Sequence, residues 1–533
     1  MDYTRIKRKQ LIPYFKKVDS EKKDIQGLII RGYKNLSSAK YLLLEITDVS
    51  KAKIYLQDLA NKFVTNAEIS DKKHLPGDNY LEYAVQIAFT RRGLDNLALD
   101  KNIIATFSRE FKEGMTQCYR DKESPGSESS KERSTLLGDF KENDPGNWIW
   151  GNEENPVDCM IMLYAKDIPA MEKLFTTVYT NLNQGVRLVY TAETHELNPK
   201  NKKEHFGFLD GISQPIIKGL EKSDHDSSLE SHLLNPGEFI LGHRNEYNNY
   251  SPSPYVDNCI PGAQTLPRLP GNSDKRDLGK NGTYLVFRQM EQHVEEFWNF
   301  LYHNTKEHKL TEGDKKGNAI KLGAKMVGRW PDGQPLVTCQ DGLCPIEKNP
   351  LNNFNYYDLD KDGTSCPFGA HIRRTNPRDQ VHAGRGPADS LEMSKRHRML
   401  RRGRSYGIPL SKDFNIDNIL NNLISKQAGD RMSSNNERGV RGLHFICLVS
   451  DIARQYEFVQ NVWANTPSFA DLHNEVDLII SPRTGDGHPE FNEFTTPQAV
   501  LRNRYLDVPK FTTVLGGAYF FMPGIAALKF ILK

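Results

Sequence analysis

Three short segments of this sequence bring together residue types that can do chemistry. In His205 to Pro215 (HFGFLDGISQP), Asp210 stands among apolar residues, with Gly207 and Gly211 close by. Glycines there let a backbone approach a flat ligand, and a carboxylate in an apolar pocket has its pKa moved toward the working pH, as a proton shuttle requires. A turn aspartate capping the next segment accounts for the same window. In Cys366 to Asp379 (CPFGAHIRRTNPRD), His371 is followed by Arg373, Arg374 and Arg378. A neutral imidazole ligates iron, and guanidinium groups recognise propionate or phosphate; a lone histidine beside arginines is also the pattern of a satisfied surface or core residue. Arg396 to Gly407 (RHRMLRRGRSYG) holds five arginines. They suit either an anion-binding wall or a solvated basic face.

Other starting points for chemistry are missing. Asp358, Asp360, Asp362 and Gly363 imitate the opening of a calcium loop, but Gly369 stands where the bidentate Glu belongs, so an Asp/Gly turn is expected. No G-x-G-x-x-G follows a strand, and no P-loop, H-E-x-x-H or G-x-S-x-G is present.

The elements that must position these segments are legible in outline. Short apolar runs bounded by turn residues predict strands at Tyr41 to Ile46, Tyr83 to Phe89, Met160 to Tyr164, Tyr284 to Phe287, His444 to Val449 and Ala518 to Met522. Met290 to Tyr302 has helical spacing, with Val294, Phe297, Trp298 and Leu301 on one face. Strand, helix and further strands in each half predict an α+β protein of two similar, helix-covered antiparallel sheets. The expected division is an N-terminal half over 1–220, a loop-rich connector over 221–280 and a C-terminal half over 281–533. The connector reads as a bridge rather than a core element, and the Ser- and charge-rich Asp121 to Thr135 as a surface excursion.

Bulk properties narrow the partners. At 533 residues the chain can bury a large core, and 71 Lys+Arg against 68 Asp+Glu gives no basic excess for nucleic acid. The opening MDYTRIKRKQLIPYFKK lacks the apolar run of a signal peptide, and the apolar tail from Ala518 to Leu532 is interrupted by Pro523 and Lys529. A cytoplasmic protein without a membrane span is therefore expected, export by another route remaining open. Seven cysteines (Cys118, Cys159, Cys259, Cys339, Cys344, Cys366 and Cys447) with no CxxC spacing indicate neither a disulfide framework nor structural zinc.

Taken in order, the segments resemble the dye-decolorizing peroxidase family. Asp24 to Tyr33 (DIQGLIIRGY), Ala88 to Asp95 (AFTRRGLD), Leu137 to Gly151, the GxxDG motif within HFGFLDGISQP, Met326 to Leu336 (MVGRWPDGQPL), CPFGAHIRRTNPRD, MLRRGRSYG, RGLHFICLVSD and GGAYFFMPG each lie where that family's blocks fall. The resemblance implies two ferredoxin-like halves, with haem b (iron protoporphyrin IX) bound mainly by the C-terminal one. It implies His371 as the axial iron ligand, Asp210 as the distal acid–base residue and Arg401 as the distal arginine. Arg378 would contact a haem propionate, Leu443 and Phe445 would line the distal side, and Gly207 and Gly211 would sit at the cofactor. Asp477 in EVDLII is assigned the hydrogen bond to the proximal histidine, with Asp451 as the alternative. The implied activity is reduction of hydrogen peroxide to water and oxidation of dyes, phenolic or other one-electron donors through an oxoferryl intermediate. A haem carrier or sensor, or a protein releasing iron from haem, is the competing class. Surface aromatics are the expected exit for electrons to bulky donors, with Trp148, Trp150, Trp298, Trp330, Trp463 and 22 tyrosines as candidates.

Overall fold

The computed structural model describes residues 18–71, 80–116, 129–180, 182, 185–195, 202–220, 230–305, 312–340, 342, 344, 351–381, 385–411, 414–427, 439–483, 492–497 and 502–533. The opening seventeen residues, positions 121–128 of the Ser-rich stretch and Cys118 lie outside these.

The first half is built from β1 (Ser38–Ile46), α1 (Val49–Lys62), β2 (Tyr83–Phe89), β3 (Cys159–Ala165), α2 (Ile168–Tyr179) and β4 (Val186–Glu193). Its strands lie in the spatial order β4-β1-β3-β2, all antiparallel. The second half repeats the plan with β5 (Thr283–Gln292), α3 (Val294–His303), α4 (Glu312–Val327), the short helix α5 (His371–Thr375), β6 (Leu400–Arg401), β7 (Arg404–Tyr406), β8 (Gly442–Val449) and β9 (Thr512–Met522). Here the order is β9-β5-β8-β6, with β7 also on β8. Taking β6 and β7 together as one position, each half is thus a βαββαβ unit whose first strand is central, the ferredoxin-like plan. The halves are joined edge to edge rather than kept as separate sheets. Phe521 of β9 pairs with Phe89 of β2, making one nine-stranded sheet.

The strand sequences explain the layering. All seven residues of β3 are buried, which is why Met160 to Tyr164 shows no polar alternation. Cys159, Ile161 and Leu163 face one core, while Met160, Met162 and Tyr164 face the other. The Pro- and Gly-rich connector corrects the sequence reading, because it supplies buried residues to both cores: Leu234, Phe239 and Ile240 to one, Leu241, Val256 and Leu278 to the other. Its backbone needs are met by small local pairings, Ile216–Ile217 with Leu233–Leu234 and Tyr255–Asp257 with Asn272–Asp277.

Three further expectations change. Met290 to Gln292 continue β5, so helix α3 begins only at Val294, and Ser129–Leu137 of the supposed surface excursion is helical. Cys339 and Cys344 form a disulfide, the five-residue separation being closed by a turn at Gly342 with φ of +72°. Asp360 sits in the expected turn, accepting the Ser365 and Cys366 amides and pairing with Arg373. Among the described residues no helix is long and apolar enough to cross a membrane.

Helix α3 carries the packing that reaches the site. Val294, Phe297, Trp298 and Leu301 recur at helical spacing and are all buried, while Glu295 and Glu296 suit the positive N-terminal end. The Trp298 indole donates to the Phe206 carbonyl at 3.1 Å and stacks parallel to Phe208. Trp298→Ala is expected to lower stability by about 3–5 kcal/mol, read from the denaturant midpoint, because a large side chain would leave a cavity in a closed cluster.

Candidate active site

A cavity opens on one face of the second half, with the sheet as its floor. Arg288, Met290 and Gln292 reach it from β5, Leu443 and Phe445 from β8, and Thr512 and Val514 from β9. The two-residue period places each set on one face. On β9 that period is broken only after Val514, where Leu515 bulges out as Gln289 and Met290 pair with Gly516 and Val514. The walls are the Glu204–Ser213 turn, α5, and π-helical turns at Ala453–Glu457 and Val459–Ala464, which contribute Tyr456, Val459 and Gln460.

His371 opens α5 and lines this cavity. Its Nδ1 lies 3.0 and 2.9 Å from the two carboxylate oxygens of Asp477. Asp477 is fully buried, and its Oδ1 also accepts the Ile479 and Ile480 amides. Burial alone would raise this carboxyl, but the charge and hydrogen bond of His371, the Ile480 amide and Arg374 hold it down at about 2. With Nδ1 engaged, Nε2 is the nitrogen left for a ligand. Asp451, the alternative, instead caps the next turn through the Arg454 amide.

The arginines divide by what they touch. Arg374 binds the Trp463, Ala464 and Glu475 carbonyls and so fixes the segment leading into Asp477, and Arg373 is committed to Asp360 and Gln380. Arg402 and Arg404 serve carbonyls of the N-terminal half, at Leu28, Ile29, Tyr33 and Ser37. Arg329, Arg378, Arg398 and Arg401 line the cavity. Arg329 and Arg378 donate to the Ser213 hydroxyl and Arg398 to its carbonyl, while none of the four meets a carboxylate among the described residues. Burial pushes Arg329, Arg378 and Arg398 down to about 10, with nearby arginines adding to the effect. Such a cluster favours an anion between its members.

Asp210 also lines the cavity, but the structure corrects its expected setting. It stands exposed at the rim, where its Oδ1 accepts the Gly211 amide at 2.5 Å. Positive φ values at Gly207 (+93°) and Gly211 (+76°) throw the turn outward there. Gly207 does not approach a ligand: an added Cβ would meet Ile416 at 2.5 Å. Gly211 has open space and does line the cavity. The carboxyl that burial raises, to about 7, is Glu204, with the charge of Asp210 adding to the shift. Glu204, Arg329, Arg398, Ser213 and the buried Arg288–Asp139 pair were not singled out from sequence, although Arg329, Arg398, Ser213 and Asp139 lie inside the segments named there. Of the five tryptophans, Trp148, Trp150, Trp298 and Trp463 are buried, leaving Trp330 as the partly exposed ring.

No family model matches the chain. The chain is 26% identical over 536 residues to the dye-decolorizing peroxidase msp1 of Mycetinis scorodonius, covering 96% of this chain and 87% of that one. It is 32% identical over 333 residues to the multifunctional dye peroxidase DyP2 of Amycolatopsis sp., covering 61% and 60%. An ancestral D-type dye-decolorizing peroxidase structure superposes with a TM-score of 0.70 at 25% identity, over 96% of this chain and 99% of that one. Over nearly its whole length the chain is similar to dye-decolorizing peroxidases.

Haem is the group that similarity to these peroxidases implies, and the residues present fit it. A histidine with Nδ1 already engaged leaves one imidazole nitrogen for iron. Arg329, Arg378 and Arg398, which meet no carboxylate among the described residues, suit two propionates. Met290, Leu443, Phe445 and Val514 give the apolar surface a porphyrin face requires.

Proposed function

We propose that this chain is a dye-decolorizing peroxidase that uses haem b, held through His371, to reduce hydrogen peroxide to water and to oxidise dyes, phenols or other one-electron donors. The observation that carries the reading is the His371–Asp477 hydrogen bond in a cavity also lined by Asp210 and Arg401. Haem, when bound through His371, would supply the redox chemistry that couples two-electron reduction of peroxide to one-electron donors. The protein's residues do the rest. Asp477, ionised at every working pH, draws the Nδ1 proton of His371 and makes Nε2 a more electron-rich ligand. Asp210 takes the proton of the attacking peroxide and returns it to the departing oxygen, which leaves as water. Arg401 stabilises the negative charge that builds on that oxygen as the O–O bond breaks. Arg378, with Arg329 and Arg398, holds the propionates, and Leu443 and Phe445 keep bulk water from the reacting oxygens.

The test is the visible spectrum of the haem-supplemented protein before and after one equivalent of hydrogen peroxide. A histidine-haem Soret band that shifts with peroxide and returns after two equivalents of a one-electron donor is the expected result. A band that ignores peroxide would leave only haem carriage or sensing, and no band at all would remove the cofactor.

A further inference from the structure

Glu204 lies six residues before Asp210 and is built into the same turn twice over. Its backbone amide donates to the Phe208 carbonyl at 3.0 Å, and its own carbonyl accepts the Gly207 amide at 2.8 Å. Its carboxylate accepts the Phe206 amide at Oε2 and the Phe208 amide at Oε1, both at 2.9 Å, and Gln292 of β5 donates to Oε2 at 2.6 Å. Three donors on two oxygens use the acceptor-only character of an ionised carboxylate. A protonated acid places a proton on one of those oxygens and makes it a much weaker acceptor, so it serves the three donors less well.

The surroundings leave this charge poorly compensated. Lys203 precedes it in the chain, with Asp332 and Asp417 acting on that lysine, and Asp210 stands across the turn. Gln292 is neutral, α3 contributes apolar Phe297 against Phe206 and Phe208, and Arg288 and Arg401 line the same cavity. Burial, with Asp210 adding to it, puts the carboxyl at about 7.

We propose that Glu204 is a positioning residue for the peroxide step, locking the turn that carries Asp210 when ionised and loosening it when protonated. The meaning for catalysis rests on the peroxide reading above. Raising the pH through about 7 therefore tightens the turn, and lowering it frees the Phe206 or Phe208 amide. The charge of Asp210 raises Glu204, so removing it moves the transition of Glu204 to lower pH.

The experiment is amide hydrogen exchange of the 204–211 segment in the full chain without haem, corrected for intrinsic rates, between pH 5.5 and 8.5. In the native sequence, protection is expected to rise about tenfold across the transition, the worth of one charge-assisted hydrogen bond. Glu204→Gln is expected to be weakly protected and flat, and Asp210→Asn to keep the transition at lower pH. With haem bound, the limb of the peroxide rate near pH 7 is expected to vanish in Glu204→Gln. Flat exchange in the native sequence, an unmoved transition in Asp210→Asn, or an unchanged rate limb would overturn the proposal. The native and Asp210→Asn titrations stand even where Glu204→Gln does not fold. Exchange reads the turn without turnover, so an active peroxidase with flat exchange removes Glu204 alone. A pH-dependent turn in a protein that ignores peroxide removes the functional reading instead.

Discussion

Asp210→Asn is expected to slow the reaction with hydrogen peroxide by about 10²–10⁴-fold, the usual worth of a positioned acid–base group. Haem content and the resting spectrum should be unchanged. The substitution keeps the shape of the side chain and an oxygen able to accept the Gly211 amide, and above the Glu204 transition the turn stays locked. What is lost is a proton acceptor at the cavity rim, while Arg401 and the floor from β5, β8 and β9 remain. Stopped-flow measurement of the Soret change under excess peroxide gives the second-order rate directly. A rate within twofold of the parent would remove Asp210 from the proton transfer and leave water or another group as the base.

His371→Ala is expected to abolish stable haem binding, read as loss of the Soret band and of haem per protein after gel filtration. The variant has a second consequence. Asp477 is fully buried and held near 2 chiefly against burial by the charge and hydrogen bond of His371. Without the imidazole its carboxylate keeps the Ile479 and Ile480 amides and the influence of Arg374 but loses its main partner. Breaking a buried pair on one side costs about 3–5 kcal/mol, here reduced because those other partners remain. The lost stability belongs to neutral pH: a lowered carboxyl stabilises the fold above its unfolded value and ceases to do so as pH falls through about 2. Millimolar imidazole should restore part of the Soret band by filling the space left in the cavity. A variant that retains haem with an unaltered spectrum would show that another residue ligates the iron.

Much of the site was legible because its residues sit in segments with strong local character. His371 stands out as a ligand-type residue in a run of arginines, and Asp477 was reached only through resemblance, since 106 residues separate the pair and no local pattern links them. The sheet was legible wherever strands are buried on both faces, as β3 is. The start of α3 was not, because Met290 and Gln292 satisfy a helical period and a strand period equally until Val294 commits the chain. Glu204 escaped notice for a different reason. A single acid ahead of His205 has no periodicity, and its importance comes from Gln292 on a strand distant in sequence and from burial that composition does not encode. The division of the arginines was equally hidden. Arg398 and Arg401 face the cavity while Arg402 and Arg404 tie down the N-terminal half, and only the pairing of β6 and β7 with β8 decides which is which.

The place of β9 bears on how the molecule can be assembled. It is the last strand of the sheet in chain order, yet it lies in the middle, between β5 and β2. During synthesis, β5 and β2 each present an open edge until residues 512–522 have left the ribosome, and open edges invite pairing with other chains. The cavity floor lacks Thr512 and Val514 for the same period. A nascent chain can therefore complete each local α and β unit early, but the cavity closes only once residues 512–522 have emerged, when one late strand joins the two halves.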